Sequence, residues 1–287
     1  MEFNDLLNKI GIDPKGVLIL RHRPHQKPLD RVFPTLVSDR PDLLDAYQAI
    51  QSPRTEGMMA RATHVAAFHG HEAGHARFLG LFSQDGHQAI TPTEFNAMAQ
   101  IQELNRLGMA FEPAGGKDML RFQLNQMDAY AGWIGRLVVK WPGPELSWAR
   151  WAANNALPIV SITEASQLAL PVPHWKNVQL TWAEVQVLPG DWKRTLSGWR
   201  GIYFIFDTAQ SKGYVGSAGG KENIWQRWQD HLRRGGDAKK LRRCDERNFI
   251  FSILEITNHE METTDLVAVE NNWKQRLHTV EYGLNDN

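Results

Sequence analysis

Hydrophobic and polar positions change period repeatedly along the first part of the chain, which predicts short helices interleaved with short strands. Residues 2–10 read as a helix, and residues 16–20 as a strand running into Arg21-His22-Arg23-Pro24 before a proline-punctuated loop. In residues 41–50, Leu43, Leu44 and Tyr47 recur at helical spacing behind a Ser38-Asp39 capping region. Residues 61–69 and 76–82 read as two strands of a hairpin joined by a glycine- and histidine-rich turn. Residues 93–107 set Phe95, Met98 and Ile101 on one helical face, and Gly108 stops it. Residues 134–141 and 157–162 read as further strands around a helical turn at 148–154. This region is therefore expected to be α+β.

The pattern shifts after Pro171-Val172-Pro173-His174-Trp175, where two prolines disfavour a continuing helix or central strand. All 11 tryptophans lie from Trp133 onward, so composition changes as well. The expected domains are residues 1–175 and 176–287. In the second, two short helices over 181–188 and 191–199 lead into a strand, GIYFIFD, at 201–207, and strand character resumes at Tyr214-Val215-Gly216. A helix then starts near Asn223, which can cap it, with Gln226 in the capping-box position. Trp225, Trp228 and Leu232 form its apolar stripe, while Arg227 and His231 stand four apart on an adjoining face. In residues 264–277 the stripe is Leu266, Val269, Trp273 and Leu277; Glu270 sits just off it, four residues before Lys274.

A length of 287 residues accommodates two cores, and 42% hydrophobic with 22% charged residues excludes a chain dominated by disorder. The 32 basic and 32 acidic residues cancel, so any attraction for a polyanion must come from a local patch. One candidate patch is Arg233, Arg234, Lys239, Lys240, Arg242 and Arg243, six basic residues in eleven positions around Gly235-Gly236-Asp237. The single cysteine, Cys244, excludes an intramolecular disulfide. Neither a leader nor an apolar run of membrane-spanning length is evident, and a cytoplasmic protein without membrane partners is expected.

His71-Glu72-Ala73-Gly74-His75 matches the HExxH pattern of zinc peptidases, with Glu94 downstream as a third ligand to consider. That chemistry needs both histidines on one helical turn. Gly70 and Gly74, with strand-like HVAAF and ARFLGLF on either side, favour a hairpin turn instead.

The segment from about residue 178 to the C-terminal end resembles the GIY-YIG nuclease family. Gly201-Ile202-Tyr203 stands for the first half of the signature and Tyr214-Val215-Gly216 for the second, with Val in place of the commoner Ile. Arg227 and His231 fall where the family carries its Arg and His, Glu270 where it carries a metal-ligand Glu, and Asn285 where it carries a late Asn. More weakly, strands in residues 55–165 resemble a small PUA-like barrel of the kind that includes modified-base readers, through THVAAFHG, ARFLGLF and GRLVVKW.

The first resemblance implies a three-stranded antiparallel sheet with flanking helices and a metal-dependent DNA endonuclease. Tyr203 would be the general base, Tyr214 would orient water or phosphate, Arg227 would pair with the scissile phosphate, and His231 would relay a proton. Glu270 would hold one Mg²⁺ or Mn²⁺, and Asn285 would brace the site. Beside such a site the basic run reads as a grip on DNA phosphates. Residues 1–175 would then supply recognition, in restriction of foreign or modified DNA. A non-catalytic DNA-binding protein on a nuclease scaffold is the rival reading, and the zinc peptidase a more distant one.

Overall fold

The computed structural model describes the chain except residues 25, 26, 71, 110, 112, 114, 115, 144–147, 169, 170, 221, 222, 235–237 and 287, and except the side chains of residues 27, 28, 31 and 234. It divides into two compact units, Met1–Leu170 and Pro171–Asn287. The second unit thus starts at Pro171 itself, ahead of the expected 176, and the Pro171–His174 stretch belongs to no helix or strand.

The first unit is built on a seven-stranded mixed sheet. Its strands are β1 (Val17–His22), β2 (His64–His69), β3 (His75–Ile90), β4 (Met119–Gln126), β5 (Leu137–Lys140), β6 (Ala149–Trp151) and β7 (Ile159–Ile162). The order is β6-β1-β2-β3-β5-β7, with β4 paired to β3. β1 and β2 are parallel, from Val17 opposite His64 to His22 opposite His69; all six β1 residues are buried, as a near-continuous apolar run in a covered parallel pair requires.

Six helices accompany the sheet among the described residues: α1 (Phe3–Lys9), α2 (Lys27–Asp39), α3 (Pro41–Ala49), α4 (Pro53–Met59), α5 (Pro92–Ala97) and α6 (Ala99–Arg106). Phe3, Val17, Ile19, Phe68, Phe78 and Trp141 are among the core residues, and Phe3 meets Phe68 edge-on at 5.2 Å. No pairing joins β6 to β7 among the described residues, so the strand path stays open rather than closing into the expected PUA-like barrel.

Several expected boundaries move. The loop after Pro24 is helix α2, which carries Pro34 within it. Arg40, not Ser38 or Asp39, takes the N-cap position of α3. The helix expected over 93–107 breaks at Met98, whose ψ of 125° is extended and separates α5 from α6. The helical turn at 148–154 is strand β6 followed by a single tight turn at Ala152–Asn154. The hairpin of β2 and β3 forms, and Glu72–Gly74 make its turn, with Gly74 at φ +72° and His75 opening β3. His71 lies outside the described residues, but a strand-borne His75 behind a left-handed glycine lacks the helical turn that HExxH zinc binding requires.

The second unit holds an antiparallel sheet of β8 (Gln179–Thr181), β9 (Gly201–Asp207), β10 (Lys212–Ala218) and β11 (Phe249–Ile256) in the order β10-β9-β11-β8. The expected three strands thus gain a short fourth, β8, whose three residues carry too little pattern to be read from sequence. Its helices are α7 (Trp182–Gln186), α8 (Gly190–Gly198), α9 (Asn223–Arg234) and α10 (Thr263–Arg276). α7 is held by a capping box in which Thr181 and Glu184 satisfy each other's backbone N–H groups.

α9 and α10 cover opposite faces of this sheet. On one face Leu266, Val269 and Trp273 of α10 pack on Ile202, Phe204 and Val215. On the other, Trp228 of α9 is fully buried with its ring 5.2 Å from Phe251. No helix among the described residues is long and apolar enough to cross a membrane.

Candidate active site

Strand alternation aims the two tyrosines. Tyr203 on β9 lies opposite Gly216 on β10, and Tyr214 opposite Ile205, so both tyrosines project to the α9 side. Gly216 is required there: a Cβ at this position would come within 2.3 Å of the Tyr203 hydroxyl. The missing side chain lets the phenol lie across edge strand β10.

α9 supplies the partners. Arg227 and His231 are one turn apart, and the Tyr203 hydroxyl is 2.7 Å from His231 Nε2. The His231 ring also meets Tyr214 edge-on at 5.2 Å, which places both phenols around one imidazole. Tyr203 and His231 are almost wholly buried, and Tyr214 is 9% exposed.

Burial pushes the Tyr203 phenol well above its ordinary value of 10.0; the Tyr214 phenol and the Glu270 charge push the same way, and the Arg227 guanidinium opposes them. Arg227 is itself raised, first by the facing Tyr203. The electrostatic influence of Arg227, Tyr214 and Glu270 therefore converges on one hydroxyl.

Glu270 stands on α10, on the far side of the sheet, and its charge is felt at Tyr203. Its Oε2 accepts a hydrogen bond from Ser217, the residue after the glycine, and its Oε1 pairs with Lys274 Nζ at 2.8 Å. The i, i+4 pair anticipated from the sequence is therefore formed, and it is only 10% and 15% exposed at Lys274 and Glu270.

Asn285 clamps the edge strand. Its Oδ1 accepts from the Val215 N–H at 2.9 Å and its Nδ2 donates to the Val215 carbonyl at 2.8 Å, satisfying both backbone groups between Tyr214 and Gly216. Gly283 allows this turn to close, since a Cβ there would come within 2.5 Å of the Gly213 carbonyl oxygen.

Residues 200–283 match the family model described as the GIY-YIG catalytic domain. This segment is a GIY-YIG nuclease domain. It makes the protein a phosphodiester-hydrolysing endonuclease. Two solved chains are similar. A point mutant of the catalytic domain of intron endonuclease I-TevI is 31% identical over 31% of this chain and 94% of that one, with a TM-score of 0.27. The catalytic domain of homing endonuclease I-TevI is 33% identical over 30% of this chain and 96% of that one, with a TM-score of 0.26. No curated protein matches the chain.

Within the GIY-YIG domain the capping box expected at Asn223 is replaced by other bonds. Asn223 Nδ2 donates to the Ser197 carbonyl at 2.9 Å, and Gln226 donates along the helix to Asp230 at 3.0 Å.

The basic run has mixed duties. Arg233, Lys239, Arg242 and Arg243 are exposed. Lys240 instead donates to the Asn285 carbonyl at 2.7 Å and the Val280 carbonyl at 3.4 Å, holding the turn that carries the Asn285 clamp. The Arg234 side chain lies outside the described residues.

Two contributors escaped the sequence reading. Ser217 gives no signal beyond its place next to the glycine. Lys240 is hidden inside a charge run that reads as solvent-facing.

A divalent cation fits the donor set that is present. Glu270 offers one carboxylate beside the Ser217 hydroxyl, and no group of three His, Cys, Asp or Glu residues converges among the described residues. One hard oxygen ligand suits an ion that keeps most of its waters, such as Mg²⁺, better than zinc.

Proposed function

We propose that the protein is a divalent-cation-dependent DNA endonuclease whose catalytic group is the Tyr203 hydroxyl, working through His231. The supporting observation is the 2.7 Å contact between Tyr203 Oη and His231 Nε2 in a buried setting also felt by Arg227 and Glu270.

A raised phenol is a poor free base, because forming tyrosinate in that pocket is costly. The hydrogen bond offers another route. A neutral imidazole with its proton on Nδ1 accepts the Tyr203 proton at Nε2 while the phenol oxygen takes a proton from the attacking water. No free tyrosinate forms. The hydroxide oxygen attacks phosphorus, the P–O bond to the leaving oxygen breaks, and the imidazolium returns its proton through Tyr203 to solvent or product.

Arg227 fits the charge that develops on the phosphoryl oxygens, as a planar fork of donors suits that geometry. Tyr214 orients water or phosphate beside the same imidazole, and Asn285 fixes the strand that carries Tyr214. Glu270, with Ser217 beside it, would hold Mg²⁺ or Mn²⁺, which when bound polarises a phosphoryl oxygen and stabilises the leaving group.

Arg233, Lys239, Arg242 and Arg243 would grip flanking phosphates, with Arg234 beside them in sequence, while Lys240 secures the clamp. The catalytic unit has little surface for reading sequence, so recognition falls to the first unit, in cytoplasmic restriction of foreign or modified DNA. The test is to incubate the full chain with plasmid, single-stranded and modified DNA, with Mg²⁺ or with a chelator. Cation-dependent cutting is expected. Binding without cutting under every condition would leave a DNA-binding protein on a nuclease scaffold and sink the proposal.

A further inference from the structure

Each oxygen of the Glu270 carboxylate already has a partner. Its Oε2 accepts from Ser217, and its Oε1 lies 2.8 Å from the Lys274 ammonium. The pair is one helical turn long, on α10, and neither side chain is more than 15% exposed. Lys274 as a whole residue is 8% exposed, unusual for a lysine unless it is paired. A surface pair of this spacing would contribute little, but here each charge is largely withdrawn from water and depends on the other.

We infer that Lys274 is an internal counter-ion that occupies the place of the divalent cation on Glu270 and thereby sets how tightly that cation binds. This rests on the assignment of Glu270 as the metal ligand. A hard cation needs a carboxylate oxygen at roughly 2.0–2.1 Å, closer than an ammonium approaches. The Lys274 Nζ sits on one oxygen and the Ser217 hydroxyl on the other, so the cation must displace the ammonium from Oε1 or share the carboxylate against like-charge repulsion.

Two consequences follow. Without metal, the pair and the Ser217 hydroxyl hold the Glu270 carboxylate in place rather than swung into solvent. With metal, binding to the free protein is weak, and the ion loads best together with a DNA phosphate whose oxygens complete its shell and compensate for the lost pair.

The experiment is direct Mn²⁺ binding to the full chain without DNA, by calorimetry and by the paramagnetic resonance of free Mn²⁺. It uses wild type, Lys274→Met, Lys274→Gln, Glu270→Ala and Lys274→Met/Glu270→Ala. Lys274→Met removes the competing charge at similar length and is expected to tighten Mn²⁺ about ten-fold or more, since a buried ion pair resists disruption. Lys274→Gln retains a donor to Oε1 without the charge and is expected to shift the same way. It guards against a fold defect in the methionine variant, with circular dichroism as the check.

Unchanged or weaker Mn²⁺ affinity in both folded Lys274 variants, with the site abolished by Glu270→Ala, overturns the role of Lys274 and leaves the metal assignment standing. A gain in Lys274→Met that persists in the double variant, or no Mn²⁺ binding in any variant, overturns the metal assignment and this inference with it.

Discussion

Tyr203 and His231, 28 positions apart, meet at 2.7 Å between Oη and Nε2, and both side chains are buried. In the proposed mechanism this contact makes an aromatic strand residue and a helical histidine act as a single proton-handling unit. Replacing His231 with Ala removes the acceptor and leaves a phenol that burial holds well above 10.0. The expected outcome is a loss of about 100-fold or more in single-turnover cleavage rate, with DNA affinity little changed. Quench-flow or gel-based single-turnover assays at saturating protein read this directly.

Gly216→Ala tests the geometry without removing any reacting group. The new methyl would sit 2.3 Å from the Tyr203 hydroxyl and 2.5 Å from its ring carbon, so the phenol must move. A displacement of about 1 Å is enough to cost roughly 100-fold in rate. The check is the cleavage rate beside circular dichroism and a melting curve. A folded Gly216→Ala protein that cuts normally would show that the phenol need not lie across β10.

Asn285→Ala leaves the Val215 N–H and C=O without their partners in a buried strand. Denaturant unfolding should show a loss of about 1–3 kcal/mol for the second unit, the usual penalty for stranding buried polar groups. If Asn285 acts only through the strand, cleavage slows while its pH profile keeps its shape. A changed profile would instead indicate direct contact with the reacting atoms.

Much of this site was legible in the chain. The aromatic, β-branched run at β9 and its resumption at β10 mark a strand pair, and helical spacing puts Arg227 and His231 on one face. What stayed hidden depended on partners far away in sequence. Ser217 meets Glu270 across 53 positions, and Lys240 reaches the Asn285 carbonyl across 45. In the first unit, Pro34 suggested a loop where tertiary packing retains helix α2, and Met98 breaks a helix with neither glycine nor proline to announce it.

The first unit carries a pH-sensitive group. His22, at the end of β1, is buried against Phe33 and Tyr47, and burial lowers its pKa from 6.5 to about 4, partly offset by Gln48. A depressed histidine favours the neutral, folded form, so its contribution is complete above pH 6.5 and is lost as pH falls through 4. The shift corresponds to roughly 3 kcal/mol between neutral pH and pH 4. His22→Gln should flatten the acid limb of the stability curve by about that amount. Urea titrations at several pH values measure it, and an unchanged slope would contradict the assignment.

The central claim is that the Tyr203 hydroxyl takes the proton of the attacking water. Single-turnover cleavage of supercoiled plasmid in Mg²⁺ by wild type and Tyr203→Phe, at equal DNA occupancy, tests it most directly. Nicking or linearisation by wild type is expected, with a rate lower by about 100-fold or more for the variant, which loses one oxygen atom and keeps its ring packing. Cleavage by Tyr203→Phe at the wild-type rate would contradict it.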